Sequence, residues 1–238
     1  MALQYTPPRL AQRFVAMGLA ARDVASRSAL QAASPVYHFA VQPGLQIIRR
    51  ASFKALPWKN GGGITHEAIR IPELGDPFDW RVSVAQIEKS GPFSDFAGYR
   101  RKMVLLKGPG IELKFGDGQQ QALKQVGDMA EFDGALFTHC NLLGAPCIDL
   151  NLMVADSRQV RARVERIRGP VDVGASEHET GLIFSIESAL EVKRSNGEIA
   201  LLGPWDLGVI SGFYGQVVSS HSAISATPRA VFFATIGD

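Results

Sequence analysis

The sequence predicts an all-β protein, a sandwich or barrel, and three observations carry that expectation. Asp79 to Ile87 alternates, with Trp80, Val82 and Val84 on one face and Arg81, Ser83 and Ala85 on the other, a two-residue period rather than a helical one. Asp149 to Val154 does the same, Leu150, Leu152 and Val154 opposing Asp149, Asn151 and Met153. From residue 45 onward the apolar runs are short and punctuated by Gly and Pro, and Asp117-Gly118 and Asn196-Gly197 are strong hairpin signals because such tight turns need positive φ.

Taken in order, residues 1–44 stand apart. After Pro7-Pro8, Leu10, Phe14, Met17, Ala21 and Val24 recur at helical spacing, while Arg9, Arg13, Arg22 and Arg27 face one acid, Asp23. This is a basic N-terminal extension, helical or disordered; an arm on the core and an over-extended start are equally open. Arg22 and Asp23 interrupt the apolar run, which argues against a signal peptide. Beyond it a weak repeat divides the chain. Met103 to Leu106, Ile111 to Phe115 and the turn Gly116-Asp117-Gly118 align with Leu182 to Ser185, Leu190 to Arg194 and Ser195-Asn196-Gly197. The offset is 79 residues, from Ile111 to Leu190 and again from Gly116 to Ser195. Two similar β-barrel halves follow, 45–155 and 156–238, forming one compact unit. The run Arg158, Arg161, Arg163, Arg166 and Arg168 alternates with Val160, Ala162 and Val164 and reads as a solvated edge.

Composition narrows the function classes. With 238 residues, 46% hydrophobic and 20% charged, the chain can bury a substantial core without disulfides. A net charge of +2 provides no broad field for nucleic acid or an anionic membrane, and no apolar stretch is long enough to span a bilayer. Cys140 and Cys147 are too few for a secreted disulfide scaffold and read as reduced thiols in a cytoplasmic protein.

The densest polar patches lie at residues 57 to 67, Pro-Trp-Lys-Asn-Gly-Gly-Gly-Ile-Thr-His-Glu, and at residues 78 to 101, where Phe-Asp-Trp-Arg-Val-Ser-Val-Ala precedes Gly-Pro-Phe-Ser-Asp-Phe-Ala-Gly-Tyr-Arg-Arg. Three glycines between polar neighbours suggest backbone bending beside a site, although a hairpin tip alone also accounts for the glycines. Together these patches resemble the HutD/Ves family, and the likeness continues through Leu106-Lys107-Gly108, Phe132-Asp133-Gly134 and Asp149-Leu150-Asn151-Leu152-Met153. The resemblance covers roughly residues 45 to 238. It implies a bicupin, two cupin-like jelly-roll barrel halves with short helices, in a protein associated with histidine utilisation. It also implies a ligand of the urocanate or formyl- or formimino-glutamate class, and defines no reaction. Ala97 stands where the family frequently carries proline, which affects local loop rigidity alone.

Several chemistries are disfavoured by spacing. The cupin metal pattern, His-x-His followed by Glu, is absent; His66 and Glu67 are adjacent and point to opposite faces of a strand, and His38, His139, His178 and His221 are scattered. No metal and no cofactor are expected. There is no Gly-x-Ser-x-Gly elbow and no Gly-Lys-Ser/Thr after the glycines. What remains suits a small anionic or zwitterionic metabolite. Thr65 and Glu67 share a strand face, as do Arg81 and Ser83. Arg81 can clamp a carboxylate through paired hydrogen bonds, Ser83 and Thr65 add neutral donors, and Glu67 can accept from an imidazole or amine nitrogen. Lys59 and Asn60 would close the mouth, and Asp149 and Asn151 form a second acceptor group. Arg81 with Glu67, or Arg101 with Asp149, read equally as structural ion pairs. Trp58, Phe78, Trp80, Phe93 and Phe96 supply aromatic area that shapes a pocket. Three readings stay open: a metal-independent binding protein that regulates or senses flux in histidine utilisation, a small hydrolase or isomerase with Glu67 or Asp149 as general base, and a protein-interaction module. A homo-oligomer is compatible with each.

Overall fold

Period-two alternation in a chain with many turns produces stacked sheets, because each strand offers one face to each neighbouring layer. A computed structural model describes residues 44–219 and 228–237, all within one compact unit. The expected N-terminal helix lies outside the described residues, apart from the final position of that segment, Gly44, which begins a strand.

The strands up to the middle of the chain are β1 (Gly44–Ile48), β2 (Lys54–Pro57), β3 (Gly63–Ile71), β4 (Trp80–Ile87), β5 (Gly91–Pro92), β6 (Tyr99–Lys107), β7 (Ile111–Phe115), β8 (Gln120–Leu123), β9 (Met129–Asp133), β10 (Thr138–Leu142) and β11 (Cys147–Ala155). Those that follow are β12 (Gln159–Ile167), β13 (Val171–Ala175), β14 (Thr180–Ser185), β15 (Leu190–Arg194), β16 (Ile199–Leu202), β17 (Leu207–Ser211), β18 (Phe213–Ser219) and β19 (Arg229–Gly237). They form four sheets. The first half holds a six-stranded sheet, β2-β3-β4-β11-β6-β9, and a four-stranded one, β5-β10-β7-β8. The second holds a five-stranded sheet, β1-β17-β14-β19-β12, and a four-stranded one, β13-β18-β15-β16. All the strand pairings are antiparallel.

The order β4-β11-β6-β9 recurs as β12-β19-β14-β17, and β5-β10-β7-β8 as β13-β18-β15-β16. Three differences from the sequence-based expectation have physical reasons. First, both halves are pairs of open sheets and not barrels closed by strand pairing. Second, the expected short helices reduce, among the described residues, to one 3-10 turn at Arg50–Ser52. Third, β1, which a boundary at residue 45 assigns to the first half, pairs with β17 of the second, Leu45 opposite Ile210. The chain then crosses at Arg49 and Arg50, where Asp206 takes hydrogen bonds from Arg49 Nη1 (2.7 Å), the Arg50 amide (2.9 Å) and the Gly203 amide (2.9 Å).

The 79-residue offset holds for β7 against β15 and β8 against β16. At β6 against β14 it slips by one. Val104 and Leu106 face the same core as Phe184 and Ile186, so the matching positions are one residue further along than the aligned letters suggest. Counted between matched core positions the path is one residue shorter in the second half, five steps from Leu106 to Ile111 against four from Ile186 to Leu190, which letter matching without a face assignment cannot detect.

Three cores result. Between the two large sheets lie Trp80, Val82, Val84, Leu150 and Leu152 from the first half against Phe184, Val209, Phe232 and Ala234 from the second. Ile183, Leu190, Val192, Phe213 and Phe233 fill the second half, and Ile87, Met103, Leu105, Leu113 and Cys140 fill one end of the first. No helix among the described residues is long and apolar enough to cross a membrane. Because Phe184 is fully buried between the halves, Phe184→Ala is expected to cost about 3–5 kcal/mol, read as a lowered midpoint in chemical denaturation.

Candidate functional site

The unfilled end of the first half is a cavity of about 510 Å³, a size typical of metabolite sites. Its floor is the inward face of the six-stranded sheet, and strand register arranges that face in rows. Arg81 of β4, Met153 of β11 and Arg101 of β6 lie side by side. The next row along the strands is Ser83, Asn151 and Met103; the next is Thr65, Ala85, Asp149 and Leu105, of which all but Leu105 line the cavity. Trp58, Lys59 and Asn60 form one wall, and Phe93, Ser94 and Phe96, following β5, form the other.

The glycine run shapes the first wall. Gly61 sits at φ +65, and its amide donates to the Trp58 carbonyl (3.0 Å), closing a tight turn. At Gly63 a side chain is excluded, since a Cβ would come within 2.2 Å of the Gln86 carbonyl oxygen of β4. Trp58 Nε1 donates to Thr65 Oγ1 (2.8 Å). Asn60 lines the cavity but spends its Oδ1 on the Gly62 amide (2.9 Å).

Arg101 is the most constrained charge. Only 4% exposed, it lies 4.9 Å from the Phe132 ring, 5.1 Å from Phe93 and 5.6 Å from Phe96. These rings hold the guanidinium by cation–π attraction. Burial lowers its pKa to about 10, with Asp149 opposing and Arg81 adding to the shift, so it stays charged at neutral pH. It has no carboxylate within 4.0 Å among the described residues, and its Nε has no hydrogen-bond partner. Arg81 is held 5.4 Å from Phe96 and 5.7 Å from Phe78. Its pKa is lowered by burial, against which Glu67 acts.

Asp149 has no exposed surface, and neither carboxylate oxygen has a hydrogen-bond partner from another residue, its own amide being the nearest donor; Asn151 Oδ1 has no partner either. Burial pushes the Asp149 carboxyl up to about 7, with Arg101 pulling the other way. Behind it, burial raises the Cys140 thiol to about 12, and the Cys147 thiol is raised as well, so neither is a nucleophile at neutral pH.

Lys59, Asn60, Thr65, Arg81, Ser83, Arg101, Asp149 and Asn151 line one cavity. Glu67 does not. It shares the face of Ser83, opposite which it sits, but lies outside the lining and 3.9 Å from Arg81 Nη1. A bulge after Glu67 turns the strand there. The anticipated Arg101–Asp149 ion pair is likewise not a contact pair. Sequence reading missed Met103 and Met153 in the floor, although both sit at inward positions of alternating strands. His66 faces away from the cavity, opposite Val84 of the inter-half core. Among the described residues no three His, Cys, Asp or Glu side chains cluster in metal-binding geometry.

The second half offers a control. Matched by register, the row Ser83–Asn151–Met103 becomes Arg163–Phe233–Ile183, and Arg81–Met153–Arg101 becomes Arg161–Thr235–Gly181. Asp149 becomes Val231. The space shrinks to about 120 Å³, with Arg163 stacked 4.8 Å from Phe233. A wider, shallower hollow of about 600 Å³ adjoins this space, lined by Asp172, Lys193, Arg194, Ser195 and Gln216, so both halves hold polar-lined space, but the floor of buried Arg101, Asp149 and Asn151 belongs to the first.

Paired open sheets in two like-ordered halves define a cupin-like β protein. Within that class the chain belongs to the HutD family, whose model matches residues 50–222. It is 40% identical over 163 residues to an uncharacterized 21.2 kDa protein from the region 3′ of hutC in Pseudomonas putida, covering 68% of this chain and 84% of that one. It is 34% identical over 109 residues to protein Ves of Escherichia fergusonii, covering 45% of this chain and 56% of that one. HutD of Pseudomonas fluorescens SBW25, solved in a formate condition, superposes with a TM-score of 0.64 at 29% identity, over 81% of this chain and 98% of that one. Oxalate decarboxylase of Lactobacillus farciminis matches in fold alone, with a TM-score of 0.52 at 8% identity over 80% of this chain and 85% of that one. Family membership associates the chain with histidine utilisation.

The raised Asp149 carboxyl has a stability signature. Between its ordinary value near 4 and about 7 the folded chain holds a proton that the unfolded chain has released, so stability falls as pH rises through that window and levels off above it. Relative to Asp149→Asn, ligand-free protein is expected to lose about 2–3 kcal/mol between pH 5 and pH 8, because each step of one in pH inside the window costs about 1.4 kcal/mol. Parallel pH profiles in chemical denaturation would contradict this.

Proposed function

We propose that the chain is a metal-independent binding protein of the histidine-utilisation system, holding a small carboxylate-bearing metabolite in the cavity of its first half and thereby sensing or regulating flux. The observation that carries this is Arg101. A desolvated guanidinium with no carboxylate in contact, Asp149 acting on it only at longer range, costs several kcal/mol, and a fold keeps such a charge where an anion will meet it. Arg81 in the same row gives the anion a second cation, and the ring contacts fix both planes for two-point hydrogen bonding. Ser83 and Thr65 supply hydroxyls, with Lys59 at the turn beside them.

The family association supports a urocanate, formyl-glutamate or formimino-glutamate class of ligand. The repeated sheet order supports reading the two halves as a bicupin. One observation favours a competing reading. Asp149, poised near neutrality inside the cavity, has the ionisation expected of a general base, so a hydrolase or isomerase activity is the alternative.

A thermal-shift screen of urocanate, N-formyl-L-glutamate and formimino-L-glutamate, followed by calorimetry and a product assay on each hit, separates the two. Binding without product supports the sensor; product formation abolished in Asp149→Asn supports the enzyme. Arg101→Lys and Arg81→Lys are each expected to weaken a bound carboxylate by about 1.5–3 kcal/mol despite keeping the charge, because an ammonium cannot reproduce the planar grip. Chelation is expected to leave that affinity unchanged, measured on the same preparations.

A further inference from the structure

We infer that the buried end of the cavity is an acceptor subsite, where the Asp149 carboxylate and the Asn151 amide oxygen receive an N–H from the same ligand whose carboxylate the arginine row holds. The inference rests on the carboxylate-binding reading and adds what the ligand must carry at its other end. Three buried oxygens, Asp149 Oδ1 and Oδ2 and Asn151 Oδ1, have no hydrogen-bond partner from another described residue, and Asp149's own amide, the nearest backbone donor to its carboxylate, can serve at most one of them. They occupy neighbouring inward positions of one strand and line the cavity. Buried acceptors are almost always satisfied, so a cluster of three at the edge of a hollow, out of reach of water in the ligand-free chain, marks where a ligand's donor enters as the lining side chains shift to admit it.

The layout gives the ligand a direction. The arginine row and Asp149 are four residues apart along β11, about 13 Å between backbone positions at about 3.3 Å per residue, and the arginine side chains extend into that span. A ligand therefore carries its anionic group at one end and a hydrogen-bond donor a few bonds away, as in an N-acyl amino acid or an imidazolyl acid. Glu67, the acceptor expected from sequence, is engaged with Arg81 outside the lining and leaves this role to Asp149.

The ionisation of Asp149 makes the sign of the proton effect diagnostic. The groups facing it are Arg101 from β6, Cys140 from β10 and Cys147 on its own strand, with Arg81 and Lys59 elsewhere in the cavity. Among these it is Asp149 that titrates near neutrality. To accept an N–H through both oxygens it must be ionised, so binding at low pH releases its proton and affinity rises with pH. A ligand that instead accepts a hydrogen bond from protonated Asp149 shows the reverse.

The test uses N-formyl-L-glutamate and glutarate, which share two carboxylates but differ in the formamido group that carries the N–H, titrated calorimetrically into the full chain, with the pH dependence assigning the difference to the N–H rather than to the formyl carbonyl. N-formyl-L-glutamate is expected to bind on the order of tenfold more tightly at pH 8 than at pH 5.5, with proton release into the buffer at the lower pH. Glutarate is expected to bind at least tenfold more weakly than N-formyl-L-glutamate at pH 8, and Asp149→Asn to remove most of that difference. Equal affinity for the two compounds, or affinity for N-formyl-L-glutamate that is flat or falls with pH in the unmodified chain, would overturn the subsite while leaving the carboxylate reading intact. Binding of neither compound overturns both. The pH dependence of the unmodified chain decides the matter even where Asp149→Asn fails to fold.

Discussion

The six-stranded sheet is buried on both faces, and that two-sidedness sets the rest of the structure. One face carries Trp80, Val82, Val84, Leu150, Leu152 and Val154 into the core shared with the second half. The other carries Arg81, Ser83, Arg101, Asp149 and Asn151 toward the cavity. Since neighbouring residues on a strand point to opposite sides, the apolar contact between halves and the polar floor are fixed by the same backbone register. A one-residue slip of β11 would put Asp149 into the inter-half core and Leu150 into the cavity. Specifying the dry interface therefore also specifies the wet one.

The two halves use the same strand order to different ends. In the second, Phe233, Ile183 and Val231 stand where Asn151, Met103 and Asp149 stand in the first, and Gly181 replaces Arg101 with Ile210 packed against it. That half has a continuous apolar interior. The first keeps an apolar cluster at one end only, around Leu105, Leu113 and Cys140, and at the other leaves three buried acceptor oxygens without a partner from another residue and a buried guanidinium, Arg101, held by rings with no carboxylate in contact. Stability resides in the filled half and the shared core, which lets the hollow half hold groups that a self-sufficient domain could not leave unsatisfied.

How far this is legible in sequence follows from what alternation encodes. Period-two patterns at residues 79–87 and 149–154 identify which side chains share a face, and each of those face assignments is found in the structure. Alternation does not encode which face encloses space. Glu67 falls on the face that its spacing predicts, opposite Ser83, yet the bulge after it and its approach to Arg81 leave it outside the cavity. The surroundings of Arg101 come from two separate segments, Phe93 with Phe96 on one and Phe132 on the other, whose convergence depends on the packing of β9 beside β6 and of the chain after β5 across the opening. The 79-residue repeat is legible because β7, β8 and their partners keep hairpin lengths, and it misleads at β14 because a path one residue shorter between matched core positions preserves faces while shifting letters.

The glycine run at residues 61–63 has a division of labour that bears on the site. Gly63 is required by its approach to the Gln86 carbonyl, and Gly61 by its left-handed turn. Both are explained by folding alone, and their functional consequence is indirect. By bringing β3 tight against β4 and folding the turn back over it, they set Trp58 on Thr65 and leave Lys59 and Asn60 beside the floor. The charges that matter most lie deeper, on strands whose positions the inter-half core holds. The design separates a rigid interior, where Arg101 and Asp149 are fixed by packing on every side, from a turn that closes the wall with few side-chain contacts of its own. Preorganisation of the buried charges, rather than closure by the turn, is then where recognition gains its selectivity.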